Sequence, residues 1–306
     1  MEGRILVIGE SLVDVILRDG RPPEVLPGGS PLNVAVGLQR LGITTMFHSR
    51  FGFDAFGSAI ASHLAGDGVH IVTGTQDSFA TSVAQATIQP NGSADYSFDV
   101  EWAIAPLVDI PADIIAVHTG SIGAVLEPGA HEVEREIDAA RLWATVSYDP
   151  NIRPQLMTDH AAILKRVERL VQKADIVKAS DEDIEWLYPG VEPMEAAIHW
   201  LVSGPSMVVI TRGALGSIAA TRAGMVMVDA VVTEVVDTVG AGDSFMSGLL
   251  SALADRALLG RERAQLLRSI DKDAAHAVLR FASECAAVTV SRRAADPPYR
   301  EEMQER

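Results

Sequence analysis

Two hydrophobic rhythms alternate along most of the chain. RILVIG near the start, and later IIAVHTG, TVSYDP, IVKAS and MVVIT, are short unbroken apolar runs closed by Gly, Pro or a small polar residue. They predict buried strands. Between them PGAHEVEREIDAARLW, HAAILKRVERLVQKA, DEDIEWLYPG and EPMEAAIHWLVSG read as helices. From Pro31, NVAVGLQRLG sets Val34, Leu38 and Leu41 on one helical face and offers Gly42 as a C-terminal stop. Strand alternating with helix predicts an α/β fold: a doubly wound, mainly parallel sheet flanked by helices on both faces.

One region breaks this rhythm. In SFATSVAQATIQPNGSADYSFDVEWAI, apolar and polar residues alternate on either side of the PNGS turn at 90–93, a hairpin pattern. A second extended stretch runs from Ser11 to Pro27. Paired, the two pieces would form a small β-sheet lid inserted from about 11–28 and 80–104. No repeat, low-complexity tract or linker stands out, so the expectation is one domain over 1–306 carrying a strand-built insertion.

Composition acts mainly by exclusion. A hydrophobic content of 48% suffices for a large core, and a formal net charge of −16 repels nucleic-acid phosphates and anionic lipid. Neither nucleic acid nor a membrane is therefore an expected partner. Cys285 is the only cysteine and sits in the apolar FASECAAVTV, which excludes an intramolecular disulfide and reads as core packing. No segment reaches the ~20 uninterrupted apolar residues that span a bilayer, and MEGRILVIGE lacks the pattern of a leader, so a cytoplasmic location is expected. The histidines show no zinc-site spacing.

Candidate chemistry gathers where predicted strands end: Gly9 to Asp14, Asp149 to Arg153, Lys178 to Asp183 and Thr211 to Gly216. Open α/β sheets bind ligands on that side. No G-x-G-x-x-G follows the first strand and no G-x-x-x-x-G-K-[ST] occurs, which counts against dinucleotide enzymes and P-loop NTPases. DTVGAGDSF, residues 237–245, runs into an apolar helical stretch. A helix start has unpaired N–H groups and a partial positive charge, so it attracts anions. Asp243 there reads as a helix cap. That reading leaves Gly240, Ala241 and Gly242 unexplained, since their lack of bulk matters only where something approaches the backbone closely.

DTVGAGDSFMSGLL resembles the C-terminal signature of the PfkB, or ribokinase-like, family of sugar kinases, and GGSPLNVAVGLQRLG followed by Gly52 resembles its N-terminal signature. The similarity covers essentially the whole chain; GESLVD, HTGSIG, YDPNIRP and KASDEDI are most similar to the fructokinase branch. The resemblance implies a ribokinase-like fold and transfer of the γ-phosphoryl group of ATP to a primary hydroxyl of a monosaccharide, fructose first. Ribose and 2-keto-3-deoxygluconate are the alternative acceptors, and a sugar-sensing protein without turnover is the alternative of another class.

Residue by residue, the resemblance makes Asp243 the general base, with the backbone N–H groups of Gly240, Ala241, Gly242 and Asp243 around the transferred group. It makes Asp14, Gly28, Gly29 and Asn33 the sugar contacts, and Phe98, by its place on the expected lid, is the candidate to close over the sugar's apolar face. Taken singly, Asn33 reads equally as a helix N-terminal residue, Asp14 as a solvated strand residue and Phe98 as sheet packing. Thr211, Gly213 and Gly216 match the family's turn near ATP, with a strand-to-strand turn as the other reading. Asn151, Arg153 and Lys178 are candidates for the phosphates. The family's N-x-x-E element, which organises Mg2+, is replaced by Ser180, Asp181 and Asp183, so Asp183 is the candidate there. Asp237 matches the family's K+ ligand and also reads as a turn-stabilising residue; Ala294 stands where a glycine is common. An exposed lid edge implies a homodimer.

Overall fold

The computed structural model describes residues 3–89, 94–108 and 110–304, so the turn expected at 90–93 lies outside the described residues. The chain opens with β1 (Arg4–Ile8), leaves for β2 (Leu12–Arg18) and β3 (Glu24–Gly28), and returns through α1 (Ser30–Arg40) to β4 (Thr45–His48). The short β5 (Phe51–Gly52), α2 (Ala55–Asp67), β6 (His70–Ile71) and β7 (Gln76–Asp77) come next, followed by β8 (Val83–Ile88) and β9 (Ala94–Asp99). Strand and helix then alternate through β10 (Ile114–Gly120), α3 (Gly129–Ala140), β11 (Thr145–Asp149), α4 (His160–Lys173), β12 (Ile176–Ser180), α5 (Asp181–Leu187), α6 (Pro193–Ser203) and β13 (Met207–Thr211). The chain continues with β14 (Ser217–Thr221), β15 (Gly224–Val228), α7 (Ala241–Asp255), α8 (Ala264–Arg268), α9 (Lys272–Val290) and α10 (Arg300–Gln304).

Among the described residues the main sheet has the order β15-β14-β13-β12-β11-β10-β1-β4-β6 and is parallel from β6 to β13. Its order reverses between β1 and β10, and such a switch point opens a crevice at the carboxyl ends of the strands. β14 and β15 are antiparallel because the turn after β13 is too short to hold a crossover helix. Successive side chains face opposite ways. Leu6, Ile8, Val117, Val146, Val177 and Val208 meet Val133, Ile137, Val167, Leu170 and Trp200 of α3, α4 and α6. Ile5, Val7, Ala116, Ile176 and Val209 meet Leu38, Leu249, Leu253, Val278 and Leu279 of α1, α7 and α9. No described helix is long and apolar enough to cross a membrane.

The excursions pair as a separate sheet of order β3-β2-β8-β9 in which β2 and β8 run parallel. Leu26, Asp14, Ala84 and Phe98 are register partners across its strands, which puts Asp14 and Phe98 on one face. Gly29 joins this sheet to α1 at φ 112°, and a methyl group there would stand 2.7 Å from the Glu10 carbonyl oxygen. Only glycine fits that junction.

Candidate active site

α7 starts on Gly240, which caps it at φ 75°, with no side-chain capping bond. A methyl group on Gly240 would lie 2.5 Å from the Ala295 Cβ, so both conformation and space demand glycine. The first bond of the helical ladder runs from Ser244 N–H to the Gly240 carbonyl, and the N–H groups of Gly242 and Asp243 come before it. Asp243 is not the cap. The Ser30 hydroxyl donates to its Oδ1 at 2.6 Å and the Asn33 amide donates to its Oδ2 at 2.8 Å. Ser30 and Asn33 are three residues apart on α1 and so share a face, which lies against the start of α7. The two signatures thus meet at one carboxylate that is only 7% exposed.

Behind the turn lies Lys178, 3% exposed, its Nζ 2.8 Å from Asp149 Oδ2. A methyl group on Gly242 would stand 2.9 Å from that ammonium, so the bare turn lets the charge come up against the main chain. Burial acts to lower the Lys178 pKa, but Asp149, Asp183 and Asp243 more than offset it and carry the pKa above its ordinary value. The ammonium keeps its charge. Burial pushes Asp149 up to about 6 against the pull of Lys178, and its Oδ1 is buried without a hydrogen-bond partner.

On the other wall the Asp14 carboxylate lies over the bare Gly28. Burial raises the Asp14 pKa and the Arg153 charge opposes the rise. Glu10, at the end of β1, accepts the Gly123 N–H at 2.8 Å. Burial pushes its pKa up to about 7 despite bonds from its own backbone, Ser121 and Gly123 and the Arg153 charge. Arg153, expected among the phosphate ligands, is therefore close enough to Asp14 and Glu10 for its charge to act on both. It follows Asn151, which turns the chain at φ 39°. Phe98, 37% exposed, shares Asp14's face of the small sheet and stacks on Tyr96 with centroids 6.2 Å apart.

The remaining candidates are engaged structurally. Asp183 accepts the Ile152 N–H at Oδ1 and the Ser180 N–H at Oδ2, while its own N–H donates to Ser180 Oγ, a capping box that starts α5. Thr211 donates to the Ala179 carbonyl; Gly213 and Gly216 shape the β13–β14 hairpin turn at φ 50° and 78°. Asp237 accepts the Val239 N–H at Oδ1 and the Ala294 N–H at Oδ2. Ala294 adopts φ 59°, a left-handed conformation that favours glycine. No three His, Cys, Asp or Glu side chains among the described residues form a group able to hold a metal. A shallow hollow of about 780 Å³ on the outer side of α5, lined by Asp181, Glu182 and Trp186, includes neither Asp243 nor Asp14.

Sequence reasoning missed Ser30, Glu10 and the role of Asp149. The signal for Ser30 was its helical spacing from Asn33; Glu10 and Asp149 gave none beyond standing at strand ends.

The family model described as pfkB family carbohydrate kinase matches residues 3–302. A fructokinase of Rhizobium leguminosarum bv. trifolii is 35% identical over 273 residues, which cover 86% of this chain and 83% of that one. A fructokinase of Escherichia coli is 31% identical over 316 residues, 99% of each chain. The crystal structure of fructokinase with bound ATP from Xylella fastidiosa shares the fold with a TM-score of 0.84 at 26% identity, covering 100% of this chain and 98% of that one.

Proposed function

The chain belongs to the pfkB family of carbohydrate kinases, and on that premise we propose that this sugar kinase moves the γ-phosphoryl group of ATP to a primary hydroxyl of fructose. The observation that carries the reading is Asp243: a buried carboxylate at the unpaired N–H groups of a helix start, held by two residues of the opposite signature. Asp243 takes the proton as the sugar oxygen forms its bond to phosphorus, and the bond to the β-phosphate oxygen breaks to release ADP. The N–H groups of Gly240, Gly242 and Asp243 donate to the equatorial oxygens, the Ala241 N–H being held by the Thr238 carbonyl, and the Lys178 charge behind them favours the negative charge that gathers there.

Asp14, Gly28, Gly29 and Asn33 hold the sugar, with Phe98 over its apolar face. Thr211, Gly213 and Gly216 border the nucleotide, and Asn151 lies toward its phosphates. Mg2+, which neutralises phosphate charge during transfer, would be held chiefly by the phosphates and water. Asp183, whose oxygens already accept main-chain N–H groups, fits a role toward those waters. Asp237 and the loop at Ala294 would hold K+. The small sheet acts as a lid, and one of its two edge strands, β3 with the exposed Val25 or β9 with the exposed Tyr96, would pair with a second copy in a homodimer of a single-domain, cytoplasmic enzyme.

The Arg153 charge beside Asp14 favours one second reading, an acceptor carrying a carboxylate such as 2-keto-3-deoxygluconate. A coupled ADP-release assay across fructose, ribose, tagatose, 2-keto-3-deoxygluconate and adenosine, with and without K+, decides between them. Fructose should give the highest kcat/KM; a tenfold preference for another acceptor overturns the assignment. Asp243→Asn should cost about 10³-fold or more in kcat while sugar binding persists.

A further inference from the structure

Resting on the reading of Asp243 as the base, we propose that Ser30 is a positioning residue that gives the two carboxylate oxygens different duties. Ser30 holds Oδ1, and Oδ2 is the oxygen that takes the sugar's proton. The Ser30 hydroxyl donates to Oδ1 at 2.6 Å in a fully buried contact, and Ser30 itself is 7% exposed. The Asn33 contact to Oδ2, at 2.8 Å, is only partly buried. Asn33 is half-buried where Ser30 is buried, so the more open side of the carboxylate is the Asn33 side. A sugar hydroxyl that reaches Asn33 meets Oδ2.

The Ser30 hydroxyl is not spent elsewhere. It begins α1 directly after Gly29, and α1 has no side-chain capping bond, so the hydroxyl does nothing for its own helix. A carboxylate can otherwise rotate about its Cβ–Cγ bond and present either oxygen. Ser30 at Oδ1 and Asn33 at Oδ2 remove that freedom, Ser30 being the more buried of the two donors, and a base must be aligned to within about half an ångström to work well. The proton path then involves a single oxygen: the sugar O–H bond breaks toward Oδ2 while Ser30 keeps its own proton.

The test compares Ser30→Ala, Asp243→Asn and the double variant by steady-state kinetics with fructose and ATP. Ser30→Ala should lower kcat about tenfold or more with both KM values within about twofold, and should add no further loss in the Asp243→Asn background. A Ser30→Ala enzyme within about twofold of the parent, beside an inactive Asp243→Asn, overturns the Ser30 proposal and leaves the base assignment standing. Losses that add up in the double variant, or that fall on KM rather than kcat, overturn it too, since they would make Ser30 a packing or sugar-binding residue. An Asp243→Asn enzyme as fast as the parent removes the base assignment itself.

Discussion

Lys178 and Asp149 form an ion pair with both side chains buried, Nζ to Oδ2 at 2.8 Å, directly behind the bare turn that opens α7. A pair so enclosed contributes little net stability, yet removing one partner strands the other and costs ~3–5 kcal/mol. Lys178→Met should thus destabilise the fold by about that amount and lower turnover by about 10²-fold or more. Adding Asp149→Leu should restore most of the stability but none of the turnover, because the charge behind the turn is still missing. Urea unfolding with kinetics on the same samples checks this; recovery of both would make the pair purely structural.

Glu10 gives stability a pH dependence of unusual sign. Its folded pKa of about 7 lies above the ordinary 4.5, so the folded chain binds the proton more tightly. Its contribution is fully present below about pH 4.5 and is lost as pH rises through 7. His118, which burial holds down to about 3 from 6.5, acts oppositely, with stability present above 6.5 and lost as pH falls toward 3. Only a variant-minus-parent comparison isolates the carboxyl. Glu10→Gln should match the parent near pH 4.5 and exceed it by up to ~3 kcal/mol at pH 8 in chemical denaturation.

Ala294 sits at φ 59°, where an L-residue with a Cβ is strained by ~1–2 kcal/mol, while glycine's extra freedom in the unfolded chain costs ~0.5–1 kcal/mol. Ala294→Gly should therefore raise stability by about 0.5–1 kcal/mol and leave the Asp237 contact in place. A drop in thermal midpoint would contradict the strain argument.

Arg153 acts electrically on Asp14 and Glu10, so its removal should be felt by the acceptor. Arg153→Met should raise KM for the sugar about tenfold and change KM for ATP by less than about threefold. The reverse pattern would return Arg153 to the phosphates.

The α/β alternation was legible because each strand is a short apolar run and each helix keeps its own period, and the small sheet showed itself in the alternation around Val83 and Phe98. The antiparallel end of the main sheet was not. TRGALG was read for its glycines, while its brevity is what forces a hairpin. At the site, Asp243 and Asn33 could be named from their signatures, but their mutual bond joins positions 210 residues apart and leaves no local trace. Asp183 and Asp237 were read as metal ligands from their places in the family's elements, and the main-chain N–H groups that each also accepts have no side-chain signature in the sequence. Sequence alone does not fix which groups Arg153 serves, because a long cation can turn toward either wall of a cleft, and its charge acts on Asp14 and Glu10.

The small sheet has one further consequence. Apart from Arg153 and the base, every group assigned to the acceptor precedes β10, and every group assigned to the donor follows it. Acceptor preference could therefore be exchanged between relatives as a cassette spanning the first third of the chain, without rebuilding the phosphate machinery. The seam of such a graft is the contact between Ser30 and Asp243, and a chimera would work only where the incoming helix brings a hydroxyl to meet it.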